Sequence, residues 1–212
     1  MDPALVARGV AIGFGVAAAV GPISLLVLRR ALQRGFAYGL ASGLGVATAD
    51  ATYGGIAAFG LTVVTEALVG IQRPLAIVGG AFLIVLGARS ILAPPATAAA
   101  RETLTGNTIA SAAALAAAYG SILALTLTNP MTILSFAAIF AGVGVVGAGA
   151  TGAAAITIGV FAGSALWWLA LNGGVAAVRD RLTPRVLRVV TVGSGVLVMA
   201  FGVLALAAGV RG

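Results

Sequence analysis

AVGPISLLVL, residues 19–28, sets Gly21 and Pro22 inside an apolar run, and LTNPMTILSF, residues 127–136, sets Asn129 and Pro130 inside another. A proline within a helix lacks its amide and leaves a carbonyl without a partner. In hydrocarbon that carbonyl is tolerated only where protein groups or a water-filled cavity satisfy it. Paired breaks at corresponding points of two halves therefore predict a repeat-built membrane transporter, with its site between the repeats. A plain proline kink in each helix is the competing explanation.

The composition points to the same solvent. Of 212 residues, 61% are hydrophobic and 8% are charged, whereas a soluble domain has roughly a quarter of its residues charged. The net charge of +7 is carried by arginine, with no lysine in the chain. Between apolar spans such arginines orient the chain and meet anionic lipid, so the charge implies a membrane partner and no nucleic acid. The chain has no Cys and no His, which excludes disulfides, thiol redox chemistry and the usual soft-metal ligands. No cofactor is expected.

Six spans are expected, approximately Leu5–Leu28, Ala37–Gly60, Pro74–Leu92, Ala113–Ala141, Ala153–Val175 and Leu187–Ala208, each near the twenty residues that a hydrocarbon core of about 30 Å needs. The fourth would measure about 43 Å as one helix, so a break at Asn129 and Pro130 is expected there. The first has signal-peptide features but lacks a net basic start and runs on into Arg29 and Arg30; it is read as a retained helix. Arg29, Arg30, Arg34, Arg89, Arg101, Arg179, Arg181, Arg185 and Arg188 fall on one side of this map, and Arg8, Arg73 and Arg211 on the other. The arginine-rich side is then cytoplasmic and both termini lie outside. Residues 1–93 form a first three-helix repeat, 94–108 a cytoplasmic linker and 109–212 a second repeat.

Three segments align in order between the halves. GPISLL (21–26) matches NPMTIL (129–134), GVATADATY (45–53) lies against GVFAGSALW (159–167), and GAFLIVLG (80–87) against GVLVMAFG (195–202). An odd number of spans per repeat turns the second repeat upside down, so the expected fold class is an all-α membrane protein of two inverted three-helix repeats, with helices 1 and 4 broken.

Asp50 is the key intramembrane residue. Near the midplane an ionised carboxylate costs several kcal/mol unless paired or hydrated. There it can pair with a substrate ammonium, carry a proton, or do both; a purely structural acid held by hydroxyls is the alternative. Thr48, Thr52 and Tyr53 lie close to it in sequence, and its repeat counterpart is Ser164. Ser24, Thr126, Thr128, Asn129, Thr132 and Ser135 gather near the two breaks, where amides opened by Pro22 and Pro130 offer partial positive charge to a carboxylate. Together these groups suit a zwitterion. Trp167 and Trp168 either roof the pocket or anchor at the interface. Glu66 and Glu102 fall in loops. Gly35, Gly39 and Gly43, four residues apart, allow close helix approach within the fold or across a homodimer.

GPISLLVLRRALQRGFAYGLASGLGVATADATYG together with TNPMTILSFAAIFAG resembles the lysine exporter (LysE/RhtB) family of bacterial amino-acid exporters, over nearly the whole chain. Gly21, Pro22, Asp50, Asn129 and Pro130 stand at that family's motif positions. The resemblance implies six transmembrane helices, a place in the bacterial cytoplasmic membrane, export of amino acids or their relatives, and coupling to the proton motive force. Ser135 replaces an acid that basic-amino-acid exporters of the family carry after Asn-Pro, and Ile23 and Ser24 replace an Asn found after Gly-Pro in some branches. Both departures count against lysine or arginine and leave a neutral or small amino acid.

Two other classes compete. A divalent-cation exporter would also use a midplane acid, but one carboxylate without His or Cys is a poor ligand set for a doubly charged ion. An intramembrane hydrolase would need Ser or Thr activated near Asp50, with no His to serve as base. The chain is read as a transporter and not as an enzyme.

Overall fold

The computed structural model describes residues 2–19, 21–60, 72–92, 111–129, 132–133, 135–136, 149–179 and 183–211. Among these are seven α-helices and no strand: α1 (Pro3–Ala18), α2 (Pro22–Arg34), α3 (Phe36–Ala58), α4 (Gln72–Leu92), α5 (Ala112–Leu127), α6 (Gly149–Arg179) and α7 (Pro184–Arg211). The linker at 94–108, Glu66, Glu102 and Pro130 lie outside the described residues.

Local chemistry sets the helix ends. Asp2 Oδ1 accepts the Ala4 amide at 2.8 Å and Pro3 opens the first turn, so α1 starts with one orphan amide satisfied. It stops at Ala19, and α2 restarts with Pro22 at its first position, bent by 79° from α1. The Ser24 hydroxyl donates to the Ala19 carbonyl at 3.1 Å, satisfying an acceptor that the break would leave exposed. Gly35, at φ 92°, ends α2 and begins α3 in a backbone region that favours glycine. The second break follows α5: the Thr128 amide donates to Ala124, and the Asn129 carbonyl accepts the amides of Thr132 at 3.1 Å and Ile133 at 3.3 Å, starting a new helical turn.

The span expected over 5–28 is thus two helices. Helices over 149–178 and 188–210 are long and apolar enough to cross a membrane, and α1 with α2 is a third if the bent pair counts as one. Shorter apolar helices cover 76–89 and 112–127. At 23 residues α3 is about 35 Å long, but Ser42, Asp50 and several glycines dilute its hydropathy, and these residues are buried against neighbours rather than exposed to lipid.

Four pairings build the core. A Cβ on Gly13 would lie 2.1 Å from the Val160 carbonyl and one on Gly163 2.1 Å from the Val10 carbonyl, so α1 and α6 run parallel in backbone contact. On α3, Gly45 abuts the Tyr119 carbonyl and Tyr53 donates its hydroxyl to the Leu127 carbonyl, a second parallel pair with α5. Helices α3 and α6 cross antiparallel, with Gly39 against Asn172 and Gly43 against Trp168. Gly39 and Gly43 therefore serve packing within the fold. Helix α4 runs antiparallel to α7, where Gly80 meets Gly202 and Gly87 meets Gly195. One buried apolar cluster gathers Ile23, Val27, Val46, Ile122 and Trp168; another gathers Tyr53, Ile133, Phe136, Ile156 and Val160.

Candidate functional site

A cavity of about 220 Å³ opens where the two breaks meet α3 and the α4–α7 pair. Gly21, Pro22 and Ser24 reach it from the first break, and Thr128, Asn129, Thr132 and Ser135 from the second. Asp50 and Val46 come from α3, Leu125 and Thr126 from α5, and Trp168 from α6. Small residues at the breaks keep the backbone at the cavity wall. Because Pro22 has no amide and the first intrahelical bond of α2 is Leu25 N–H to the Gly21 carbonyl at 3.1 Å, the Ile23 and Ser24 amides belong to the unsatisfied first turn.

Asp50 is 1% exposed. It lines the cavity, and Ser164 donates to its Oδ2 at 2.7 Å. No cation pairs with it among the described residues. A buried carboxylate held by one neutral hydroxyl is poorly compensated as an anion. It can accept a proton or the ammonium of a ligand, and either removes the cost. Thr126, also 1% exposed, spends its hydroxyl on the Ile122 carbonyl at 2.8 Å and presents the rest of its side chain to the site.

Of the residues singled out from sequence, Asp50, Gly21, Pro22, Ser24, Thr128, Asn129 and Thr132 converge on the cavity, and Ser164 reaches it through Asp50. Pro130 lies outside the described residues. Thr48 donates to the Leu44 carbonyl at 2.9 Å and accepts from Tyr119 at 2.9 Å, so it packs α3 on α5 away from the cavity. Tyr53 is spent on the Leu127 carbonyl and the Phe136 ring. Trp167 stands edge-on to Phe14 at 5.3 Å, and its neighbour Trp168 lines the cavity instead. A helix turns about 100° per residue, so of two adjacent tryptophans only one can face the site.

Sequence reading passed over Gly79, Leu83, Phe201 and Ala205, which line the cavity from α4 and α7. Apolar residues in apolar helices carry no signal that separates lipid-facing from cavity-facing positions. A first span that ends at Leu28 also leaves Arg30 outside it. Arg30 lies within α2 and donates to Ser42 Oγ at 3.0 Å, the Ala118 carbonyl at 2.8 Å and Ser121 Oγ at 3.0 Å, tying α2 to α3 and α5.

No curated protein and no solved structure matches the chain. Apolar helices, a bent helix pair and a buried acid facing a cavity are consistent with a membrane translocator. The LysE type translocator family model matches residues 14–209, nearly the whole chain, and the protein belongs to that family.

Proposed function

We propose that the protein is a secondary active exporter of amino acids or close derivatives, driven by the proton motive force and built as two inverted three-helix repeats in a bacterial cytoplasmic membrane. The observation that carries this reading is Asp50, a buried carboxylate without a cationic partner among the described residues, facing a cavity between two helix breaks. Asp50 alternates between two compensations. In one it holds the ammonium of the substrate; in the other it holds a proton taken from the side opposite the cytoplasm. The first-turn amides of α2 and the groups at Asn129 receive the substrate carboxylate.

The inverted repeat has its own support. The aligned glycines Gly80 and Gly195, and Gly87 and Gly202, make reciprocal contacts: Gly80 touches Gly202 and Gly87 touches Gly195. Such i-to-j and j-to-i pairing is what a two-fold axis produces. The arginine distribution supports an orientation with the α2–α3 turn in the cytoplasm and both termini outside. A divalent-cation exporter is the weaker reading. Among the described residues no three His, Cys, Asp or Glu side chains gather to hold a metal ion.

Purified protein in liposomes tests the proposal with labelled amino acids and with manganese and zinc ions, each with and without an imposed pH gradient. Exchange of at least one amino acid, accelerated by the gradient, is expected. Metal-ion movement without amino-acid exchange would replace the proposal with the cation reading.

A further inference from the structure

We infer that the cavity selects amino acids with an aliphatic side chain, and that Gly79 and Ala205 set how long that side chain can be; this rests on the exporter reading above. The cavity has two unlike walls. Its polar groups, Ser24 and Asp50 from α2 and α3, Thr126 from α5, and Thr128, Asn129, Thr132 and Ser135 at the second break, all lie away from α4 and α7. Among the described residues, the wall made by α4 and α7 consists of Gly79, Gly80, Leu83, Phe201 and Ala205, without a side-chain donor or acceptor. A zwitterion that places its charged end on the polar groups turns its side chain toward that wall. There a hydroxyl or amide would be buried without a partner, an outcome that polar side chains avoid. A basic side chain would need a second carboxylate and an acidic one a cation, and among the described cavity-lining residues the only ionisable side chain is Asp50. About 220 Å³ is below the roughly 300–1,000 Å³ of sites for drug-sized ligands, which fits one amino acid of moderate size.

Gly79 and Gly80 differ in what holds them small. A Cβ on Gly80 would lie 2.7 Å from both the Gly202 carbonyl oxygen and the Leu206 nitrogen, so the α4–α7 crossing forbids a side chain there. A Cβ on Gly79 would meet nothing nearer than the Thr128 carbonyl at 3.9 Å. Packing does not require glycine at 79, yet the position faces the cavity, and its smallness leaves volume there for ligand. Ala205 does the same from α7. Since one methylene in an apolar pocket changes preference by about 10–200-fold, these two positions are enough to set chain length.

Counterflow in proteoliposomes, with labelled leucine, alanine, serine, lysine and glutamate presented separately, tests the inference. The parent should exchange leucine at least tenfold faster than serine, lysine or glutamate. Gly79→Val and Ala205→Leu should each move the leucine-to-alanine ratio toward alanine by tenfold or more. The two variants lie on different helices, so if one fails to give monodisperse protein the other still decides. A parent that exchanges serine or lysine as well as leucine overturns the aliphatic selection while leaving an amino-acid exporter. Unchanged ratios in a folded variant overturn the assignment of Gly79 and Ala205. Absence of exchange for every amino acid sinks the exporter reading along with the inference.

Discussion

Ser164 donates its hydroxyl to Asp50 Oδ2 at 2.7 Å, joining two residues that stand at the same place in the aligned segments GVFAGSALW and GVATADATY. The counterpart positions of the two halves therefore touch, acid against hydroxyl, where α3 crosses α6. Under the proposed two-fold architecture this contact sits on the axis. A site on an axis between repeats is where rocking of one half against the other changes access with least movement of the bound ligand.

Asp50→Asn keeps the shape of the side chain and removes its charge. Because the carboxylate is buried and, among the described residues, its one partner is a hydroxyl, the variant should unfold at the same temperature as the parent or higher. Gradient-driven export should fall by at least tenfold. Counterflow exchange separates the two duties of the residue: it persists if Asp50 only carries the proton and is lost if Asp50 also holds the ammonium. Gradient-driven export at the parent rate would make Asp50 a structural acid. Ser164→Ala should differ in kind: it leaves the buried carboxylate without that hydroxyl and should lower stability by about 1–3 kcal/mol.

Two glycines one helical turn's fraction apart on α1 give a packing test with an internal control. A Cβ at Gly13 would lie 2.1 Å from the Val160 carbonyl, while one at Gly15 meets nothing within 4 Å. Gly15→Ala should leave stability unchanged or raise it by up to about 1 kcal/mol through helix propensity. Gly13→Ala should lower the thermal midpoint in detergent, because backbone rather than a flexible side chain is in the way. Equal effects of the two substitutions would contradict the close α1–α6 contact.

Arg30 links the half-helix α2 to α3 and α5 through three hydrogen bonds. Its planar fork suits three acceptors at fixed positions, which a lysine ammonium cannot reproduce. Arg30→Ala should cost about 2–4 kcal/mol once partial exposure is allowed for. Arg30→Lys should recover less than half of that loss by thermal unfolding. Full recovery by lysine would mean that the charge alone matters.

Much of the architecture was legible because it is written in features that survive without tertiary knowledge. Apolar runs locate the helices, and Pro22 and Asn129 locate the breaks, since a missing amide or a capping residue acts locally. Asp50 was legible for the opposite reason: a charge in an apolar run has to be explained. The rest was hidden by uniformity. Trp167 and Trp168 are identical in type, and only the rotation of α6 against α3 decides that Trp168 faces the cavity while Trp167 meets Phe14. Closeness to Asp50 in sequence suggests Thr48 for the site, yet a spacing of two residues turns it by about 200° onto Tyr119. Hydropathy alone ends the first span at Leu28, whereas the restart at Pro22 carries the helix on through Arg30 to Arg34.

The helix directions also predict sidedness. Helix α1 runs antiparallel to α3 and α5 runs parallel to it, so the starts of α1 and α5 lie at opposite ends of the molecule. The chain has no native cysteine, so single cysteines at the exposed Ala4 and Ala112 report cleanly. The first should react with an impermeant maleimide added outside intact cells, and the second only after the membrane is opened. The reverse pattern would invert the proposed orientation without touching the repeat; labelling of both from one side would contradict the helix directions themselves.

The last prediction weighs the breaks as parts of the site against the breaks as ordinary kinks. Pro22→Ala supplies an amide where α2 now begins without one, and the freed segment can extend helical bonding back toward Ala18. As the bend relaxes, Gly21 and Ser24 leave the cavity wall, and the Ser24 bond to the Ala19 carbonyl is replaced by a backbone bond. The variant should be at least as stable as the parent but poor at transport, with its substrate stabilisation in a thermal-shift assay reduced. Asn129→Ala should behave differently. It leaves the first break intact but removes a polar side chain from the cavity, so affinity should drop by about 1–3 kcal/mol while the bend at Pro22 persists. Parent-like export and substrate stabilisation in both variants would reduce the two breaks to kinks and move the site away from them.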